Sequence, residues 1–376
     1  MSGPSADWYP LCLTAPARPL VTGGRAIAER LGRTGLPDWP IAETWEVSDV
    51  DGYQAQVTNG PLAGCQLREL VQRHPEALLG RGWRGPRFPV LTKFIDASGG
   101  LPVHLHADDA TARRLEGQRN GKTEAWHILH AAPGATALCG IREGVSREAL
   151  HEALLAQDFD AVMRRLPVRA GDTIYVPGGT LHSFGPDTLV YEIEQTSNIQ
   201  QHAMRWHMED GSPVPDEQWH TNLTMLLQEV KLDPKPEFTP GLRVPVDDAV
   251  DRVFLCAGPY FALERWRAGD VAPIRHTFDT AQILSNVGGP VRVHVDGWSQ
   301  ILEPAATLLL PAACGSAQID GPADVLFGYL PDLDADVFRP LLAAGYRPQT
   351  IASLGEGFDE LVVEAVTASP ANITPS

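Results

Sequence analysis

Two β-barrels with a few helices packed alongside, a mainly β fold, are what three features of the sequence predict. Short runs rich in β-branched and aromatic residues recur at 88–96, 173–176 and 188–193, and again at 260–266, 282–286, 291–295, 307–310 and 325–330. Glycine and proline, 35 and 32 residues, punctuate these runs, which is the pattern of short strands closed by tight turns. Between the two sets, 207–250 is polar and proline-rich and divides the chain in two.

Taken in order, 1–62 mixes short apolar strands with turn chemistry at 22–24 and 59–61, and 67–74 has the pattern of a short helix. Leu150 and Leu154 pair at i, i+4 behind a capping Ser146, and Phe159, Val162, Met163 and Leu166 follow at helical spacing behind Asp158, so 146–166 is expected as a helical insertion in the first barrel. The first barrel then occupies 1–206, and 207–250 is a linker with one apolar helical patch at 223–232. The second barrel occupies 251–332. Residues 333–376 form a C-terminal helical segment, and the stretch from 367 onward is expected to fray.

Composition narrows the function. With 30 basic and 47 acidic side chains the net charge is −17, which excludes a nucleic-acid partner, because phosphate-backbone binding needs clustered cations. Apolar runs are interrupted or too short for the roughly 20 residues of a membrane span, and the N-terminus lacks a basic region followed by an apolar core. A cytoplasmic protein with no membrane partner is expected. The five cysteines lie at least 53 positions apart, so reduced thiols are expected rather than a disulfide framework. A monomer is the default, since two barrels in one chain can cover each other.

Residues 101–126 and 171–185 carry the chemistry. His104 and His106 are two apart, so on an extended strand both leave one face. Glu124, 18 positions after His106, would supply a carboxylate from a neighbouring strand, and His182 a third imidazole. Three imidazoles and a carboxylate leave coordination positions open for water or substrate, as in a catalytic rather than a sealed structural metal site. Each histidine alone is an ordinary structural residue. The second segment changes the balance, because Gly171, Pro177, Gly179 and His182 match the spacing Gly-x5-Pro-x-Gly-x2-His of the second motif of the cupin, jelly-roll-like β-barrels. The second half has no His-x-His, and His276 and His294 stand alone, so its barrel is expected to be metal-free.

Further residues resemble one cupin family, the type I phosphomannose isomerases. Glu43-x-Trp45-Glu46-Val47-Ser48, Asn59-Gly60-Pro61-Leu62-x-Gly64 and Phe88-Pro89-Val90-Leu91-x-Lys93 are similar to landmarks of that family. So are Val103-x-x-His106-x-Asp108-Asp109, Gly121-Lys122-Thr123-Glu124-x-Trp126, Glu192-Ile193-x-Gln195-x-Ser197 and Tyr260-Phe261-x-Leu263-Glu264-x-Trp266. The resemblance covers about residues 10–330. It implies two cupin barrels, one divalent metal, zinc first, and interconversion of mannose 6-phosphate and fructose 6-phosphate. It makes His106, Glu124 and His182 metal ligands and Lys122 an active-site cation.

Three departures matter. His104 stands where the family has glutamine, so iron, manganese and nickel also suit the site. Asn198 replaces an aspartate, and His202 replaces an arginine. Arg205, three positions further, falls on the opposite strand face and does not substitute. Aldose–ketose isomerisation moves a proton from C2 to C1, and histidine titrates near neutrality without help, so Lys122 and His202 are the catalytic candidates, with a filled arginine position the plain alternative for His202. Arg113, Arg114 and Arg119 form the basic cluster nearby, as phosphate contacts or a solvated face. Trp45 and Trp126 are candidates to line a sugar-sized pocket. The expected partner is a small-molecule sugar or sugar phosphate. Two other readings stay open: a cupin oxygenase or lyase with a three-histidine, one-glutamate site, and a non-catalytic sugar-binding homologue.

Overall fold

The computed structural model describes residues 8–233 and 235–368. Its strands form four antiparallel sheets, two for each barrel. In the first barrel, a six-stranded sheet runs in the order Ala17–Arg18, Glu43–Val47, Val90–Ala97, Thr188–Gln195, Glu124–Ala131, Thr173–Val176. It faces a five-stranded sheet of Gln201–His202, His104–Leu105, His182–Phe184, Thr136–Ile141 and Met163–Pro167. Side chains alternate across each strand: Ile95, Trp126, Ile128, Val176, Phe184 and Val190 fill the barrel. Leu105 and Leu138 face the other way, under the helices Arg147–Ala156 and Asp216–Glu229.

The second barrel pairs a seven-stranded sheet with a four-stranded one. Strands Gln282–Asn286, Val291–Val295 and Thr307–Leu310 form as expected. The seven-stranded sheet also recruits Leu11–Cys12 from the other end of the chain, paired to Leu308 and Leu309. The larger sheets of the two barrels pack against each other in one apolar layer that includes Phe94, Tyr191, Ile193, Phe261, Ile283 and Leu326. The barrels approach closely at Gly328, where a β-carbon would lie 2.8 Å from the terminal methyl of Ile193. Tyr191 and Ser285 hydroxyls meet at 2.9 Å across the same layer.

Ser146 caps its helix as expected, accepting from the Ala149 N–H. The second helix of the expected insertion is short. Only Phe159–Val162 is helical, and Met163–Pro167 is a strand paired with Thr136–Ile141. Met163 and Leu166 satisfy a helical period as well as they fit the ladder, and the ladder supplies backbone partners that an exposed helix turn lacks. The expected linker at 207–250 carries the helix Asp216–Glu229 and also a strand, Leu242–Asp247, that extends the second barrel's sheet. C-terminal helices at 339–343, 348–352 and 359–368 pack Leu341 and Ile351, with Phe358 just before the last helix, against Phe254 and Ala262. Thr367 lies in the last helix, and the rest of the segment expected to fray, 369–376, lies outside the described residues. All five cysteines are free. Among the described residues, no helix is long and apolar enough to cross a membrane.

The inter-barrel layer contains one titratable group that makes a prediction. The His127 ring is buried between the Thr173 hydroxyl, 2.9 Å from Nδ1, and the Arg265 guanidinium, which donates to Nε2 at 3.0 Å. Burial, then the Arg265 charge, lowers its pKa to about 3. The folded state therefore resists protonation while the unfolded chain takes up a proton near pH 6.5. The stabilising contribution is complete above pH 6.5 and is lost as pH falls from there toward 3, with a slope approaching ~1.4 kcal/mol per pH unit. His127→Gln, which keeps a donor and an acceptor, is expected to flatten the acid loss of stability between pH 6.5 and 4.5. Urea unfolding of both proteins at several pH values measures it, and parallel curves would refute the assignment.

Candidate metal centre

The strand ladders bring the four expected ligands together. His182 lies directly opposite His104 in the antiparallel pair, and His202 opposite His104 on the other side. Glu124 opens the strand of the facing sheet that lies between Glu194 and Val176. Two glycines close the packing. A β-carbon on Gly121 would lie 2.4 Å from the Asp108 backbone, and one on Gly178 would lie 2.7 Å from it. The loops that carry His106, Lys122 and His182 can therefore touch backbone to backbone. Gly179, at a φ of +92°, makes the turn that a side chain would strain, and its N–H donates to the His106 carbonyl.

Nε2 of His104 and Nε2 of His182 are 3.1 Å apart. Glu124 Oε1 is 3.1 Å from His182 Nε2, and Oε2 is 3.2 Å from His106 Nε2. All four side chains are buried. The other ring nitrogens are each tied down. Nδ1–H of His104 donates to the Pro102 carbonyl at 2.8 Å, that of His106 to Ile199 at 2.6 Å and that of His182 to Thr180 at 2.8 Å. With Nδ1 carrying the proton, the Nε2 lone pairs converge on one another. Burial and the neighbouring imidazoles hold His104 far below the usual histidine range, and burial followed by the Lys122 charge lowers His106 to about 3. Converging unprotonated lone pairs next to a carboxylate repel unless a cation sits among them. The donor set therefore fits a divalent metal, with each imidazole locked in the tautomer a ligand requires.

Lys122 is almost fully buried. Its ammonium lies 2.9 Å from His106 Nε2, 2.8 Å from Glu124 Oε2 and 2.5 Å from Glu194 Oε2. Burial opposes its charge, but Glu124 and Glu194 outweigh that and raise its pKa. Burial likewise opposes ionisation of Glu124, and Lys122 overrides it and holds the carboxyl well below its usual range. The Trp126 indole donates to Glu124 Oε1 at 2.8 Å. Trp126 is thus a buried anchor of the carboxylate, whereas Trp45 lines the pocket above the site.

His202 stands with its ring centroid 5.6 Å from that of His104. Burial lowers it to about 4, and its Nδ1 is buried with no hydrogen-bond partner. Arg205 is turned away, as its offset predicts: it pairs with Asp216 and lies over the Trp219 ring. Arg113 and Arg114 are exposed on a one-turn π-helix, Ala112–Glu116. Arg119 lines a cleft with Ser197 and Asn198.

Sequence reasoning missed the carboxylate and lysine lattice behind Lys122. Lys93 bridges Glu192 and Glu194, at 2.9 Å each, and all three are buried. Two ammonium groups, Lys93 and Lys122, thus face three carboxylates, Glu124, Glu192 and Glu194. Burial and the Glu192 charge push Glu194 well above the usual carboxylate range, a sign that the cluster is one positive charge short. The available signal was a lysine inside the fully buried strand Val90–Ala97 and two glutamates inside Thr188–Gln195.

The molecule is therefore a double cupin with one barrel carrying a three-histidine, one-glutamate cluster. The chain is 28% identical over 318 residues to the mannose-6-phosphate isomerase of Streptococcus mutans serotype c, covering 84% of this chain and 97% of that protein. It is 27% identical over 311 residues to mannose-6-phosphate isomerase ManA of Bacillus subtilis, covering 82% and 95%. Among solved structures, the mannose 6-phosphate isomerase of Bacillus subtilis superposes with a TM-score of 0.77 at 24% identity over 86% of this chain and all of that one. The apo phosphomannose isomerase of Salmonella typhimurium gives 0.66 at 15% identity over 85% and 99%. No protein-family model matches the chain. The fold expected from the sequence is thus shared with phosphomannose isomerases along most of the chain.

Proposed function

We infer that the protein is a metal-dependent aldose–ketose isomerase that interconverts mannose 6-phosphate and fructose 6-phosphate. The observation that carries this reading is the placement of the Lys122 ammonium within 2.9 Å of both His106 Nε2 and the Glu124 carboxylate, in a chain whose relatives bear that enzyme's name. His104, His106, Glu124 and His182 would hold one divalent metal, with zinc favoured by the family resemblance and iron, manganese or nickel compatible with a third imidazole. A bound metal supplies Lewis acidity toward the oxygens at C1 and C2 of the open-chain sugar.

The remaining work falls to the chain's own residues. Lys122, fixed between Glu124 and Glu194 and exposed at its tip to the pocket lined by Trp45, Asn198 and Ile199, offers a positive charge to the oxygen that becomes negative as the C2 proton leaves. His202, neutral at physiological pH and with a free buried Nδ1, takes that proton from C2 and returns it at C1, while the hydroxyl proton passes from O2 to O1, so that the aldehyde becomes an alcohol and the C2 alcohol a ketone. This assigns to an imidazole the proton transfer that the amide of Asn198 cannot perform.

The test is a proton NMR time course of the metal-loaded protein with mannose 6-phosphate in deuterated water. Fructose 6-phosphate carrying solvent deuterium is the expected result. Neither product nor exchange, with stoichiometric metal present, would reject the isomerase. The third imidazole of His104 keeps one other reading in play, a metal-dependent oxygenase or lyase, and oxygen consumption in the same sample would point to the oxygenase arm.

A further inference from the structure

Two glutamates outside the metal centre bury their carboxyl groups against each other. Glu229 ends the helix Asp216–Glu229 and is 2% exposed, and Glu116 ends the one-turn π-helix Ala112–Glu116. The two carboxyl groups meet at hydrogen-bonding distance. As ionised groups both could only accept, and Oε1 of Glu116 and Oε2 of Glu229 are buried with no donor among the described residues. The Gln201 amide donates to the other Glu229 oxygen, Oε1, at 3.3 Å. Cations on the elements packed around the pair are engaged elsewhere. Lys231 pairs with Asp108, Arg113 lies 3.9 Å from Asp109, and Arg147 donates to the Leu227 and Val230 carbonyls. Arg114 is exposed, and His202 on the adjoining strand is neutral. Apart from each other, no charged group acts on either carboxyl. The pair also joins two stretches of chain that carry site residues. Glu116 belongs to the segment between His106 and Lys122, and Gln201 precedes His202 on the strand that pairs with His104–Leu105.

We propose that Glu116 and Glu229 share one proton, and that this proton clasps the segment between His106 and Lys122 to the strand that carries His202. Both glutamates are positioning residues: they act through Gln201 on the placement of His202. Two buried acceptor oxygens at this separation repel unless a hydrogen lies between them, and adjacent carboxyl groups do not both ionise readily. Burial, then the Glu116 charge, raises Glu229 to about 7, and burial raises Glu116 as well. An unfolded chain releases the same proton at about pH 4.3. The stability that the shared proton contributes is therefore complete below about pH 4.3 and is lost as pH rises through about 7, opposite in sign to the contribution of His127. Once both groups ionise, repulsion parts the π-helix from the helix end, and the strand Gln201–His202 loses an anchor. The link to turnover rests on the isomerase reading, whereas the shared proton stands on the two side chains themselves.

The experiment compares metal-loaded wild type, Glu229→Gln and Glu116→Gln in melting temperature, and in kcat and KM with mannose 6-phosphate, from about pH 5.5 to about pH 8.5. Either amide supplies through its N–H the hydrogen that the shared proton supplies in the wild type, and it does not titrate. Across this range the wild type is expected to lose about 3 °C or more relative to either variant. Its kcat should fall about threefold relative to theirs as His202 shifts from its place, with a smaller change in KM. His202 itself, lowered to about 4, does not titrate in this window, and the comparison cancels ionisation of the substrate. Parallel melting profiles in all three proteins would overturn the shared proton. So would a second metal ion per chain that either variant loses, because a cation would then hold the pair. A melting difference beside parallel kcat profiles would overturn the link to His202. The same melting difference in a protein that turns over no mannose 6-phosphate would leave the shared proton standing and reject the isomerase instead.

Discussion

His106→Ala is expected to abolish stoichiometric metal binding and to lower isomerase turnover about a thousandfold or more. Four donors converge at the site, and His106 is the one wedged between Glu124, at 3.2 Å, and Lys122, at 2.9 Å. Removing its ring leaves two imidazoles whose Nε2 atoms face each other and a carboxylate that the Lys122 ammonium then holds without competition. An ion pair of that kind competes directly with a metal for Glu124, so the variant loses more than one ligand's share of affinity. Lewis-acid stabilisation of the developing charge is worth several kcal/mol, and ~4 kcal/mol corresponds to about three powers of ten in rate. Stability gives an independent readout. Metal that binds only the folded state at 100 times its Kd adds ~2.7 kcal/mol. Wild-type protein should therefore melt at a higher temperature when metal is added, and His106→Ala should not respond. Elemental analysis that finds one metal per chain in the variant would sink the ligand assignment, whatever happened to the rate.

The proposed ligands could be read from the sequence because metal chemistry imposes local spacing. His104 and His106 need only a strand's period of two, and Gly171, Pro177, Gly179 and His182 need only one turn between strands. The second barrel's strands were legible for a related reason: residues such as Val291, Val293 and Val295 alternate with polar neighbours, and one face is buried. What could not be read was anything set by pairing between distant strands. Glu194 faces Glu124 across a ladder, and Lys93 reaches both glutamates of the adjoining strand. Nothing in the local text distinguishes these buried charges from solvated ones. Met163 and Leu166 misled for the opposite reason. Their apolar spacing suits a helix, and only the presence of Thr136–Ile141 alongside makes them a strand. The strand at Leu242–Asp247 was hidden by Pro245, a residue tolerated because that strand is the edge of its sheet. Even His202, flagged as a replacement, acquired a position only through its register with His104.

Lys122→Met should retain the metal and reduce turnover a hundredfold or more, and the buried charge lattice explains why the two effects separate. None of the four metal donors is altered, and methionine keeps most of the aliphatic volume of the lysine stem, so the cavity is not opened. What disappears is an ammonium whose neighbours, Glu124 and Glu194, are both within 2.8 Å. Breaking a buried ion pair by removing one partner typically costs ~3–5 kcal/mol. Here the loss is tempered, because Glu194 keeps Lys93 at 2.9 Å and Glu124 keeps the metal. The catalytic loss is not tempered in the same way. Lys93 is held by Glu192 and Glu194 and cannot reach the place Lys122 vacates without breaking both contacts, so no second cation serves the oxygen that gains charge in the transition state. A positioned group of this kind contributes typically 10²–10⁴-fold. Lys122→Arg distinguishes charge from placement: it keeps the positive charge, but a guanidinium is too broad for a pocket where the lysine is 6% exposed, so it should restore neither the rate nor the full stability of the lattice. Turnover near the wild-type level in Lys122→Met with metal in place would remove Lys122 from the chemistry and leave it as the counter-ion that keeps Glu124 and Glu194 apart.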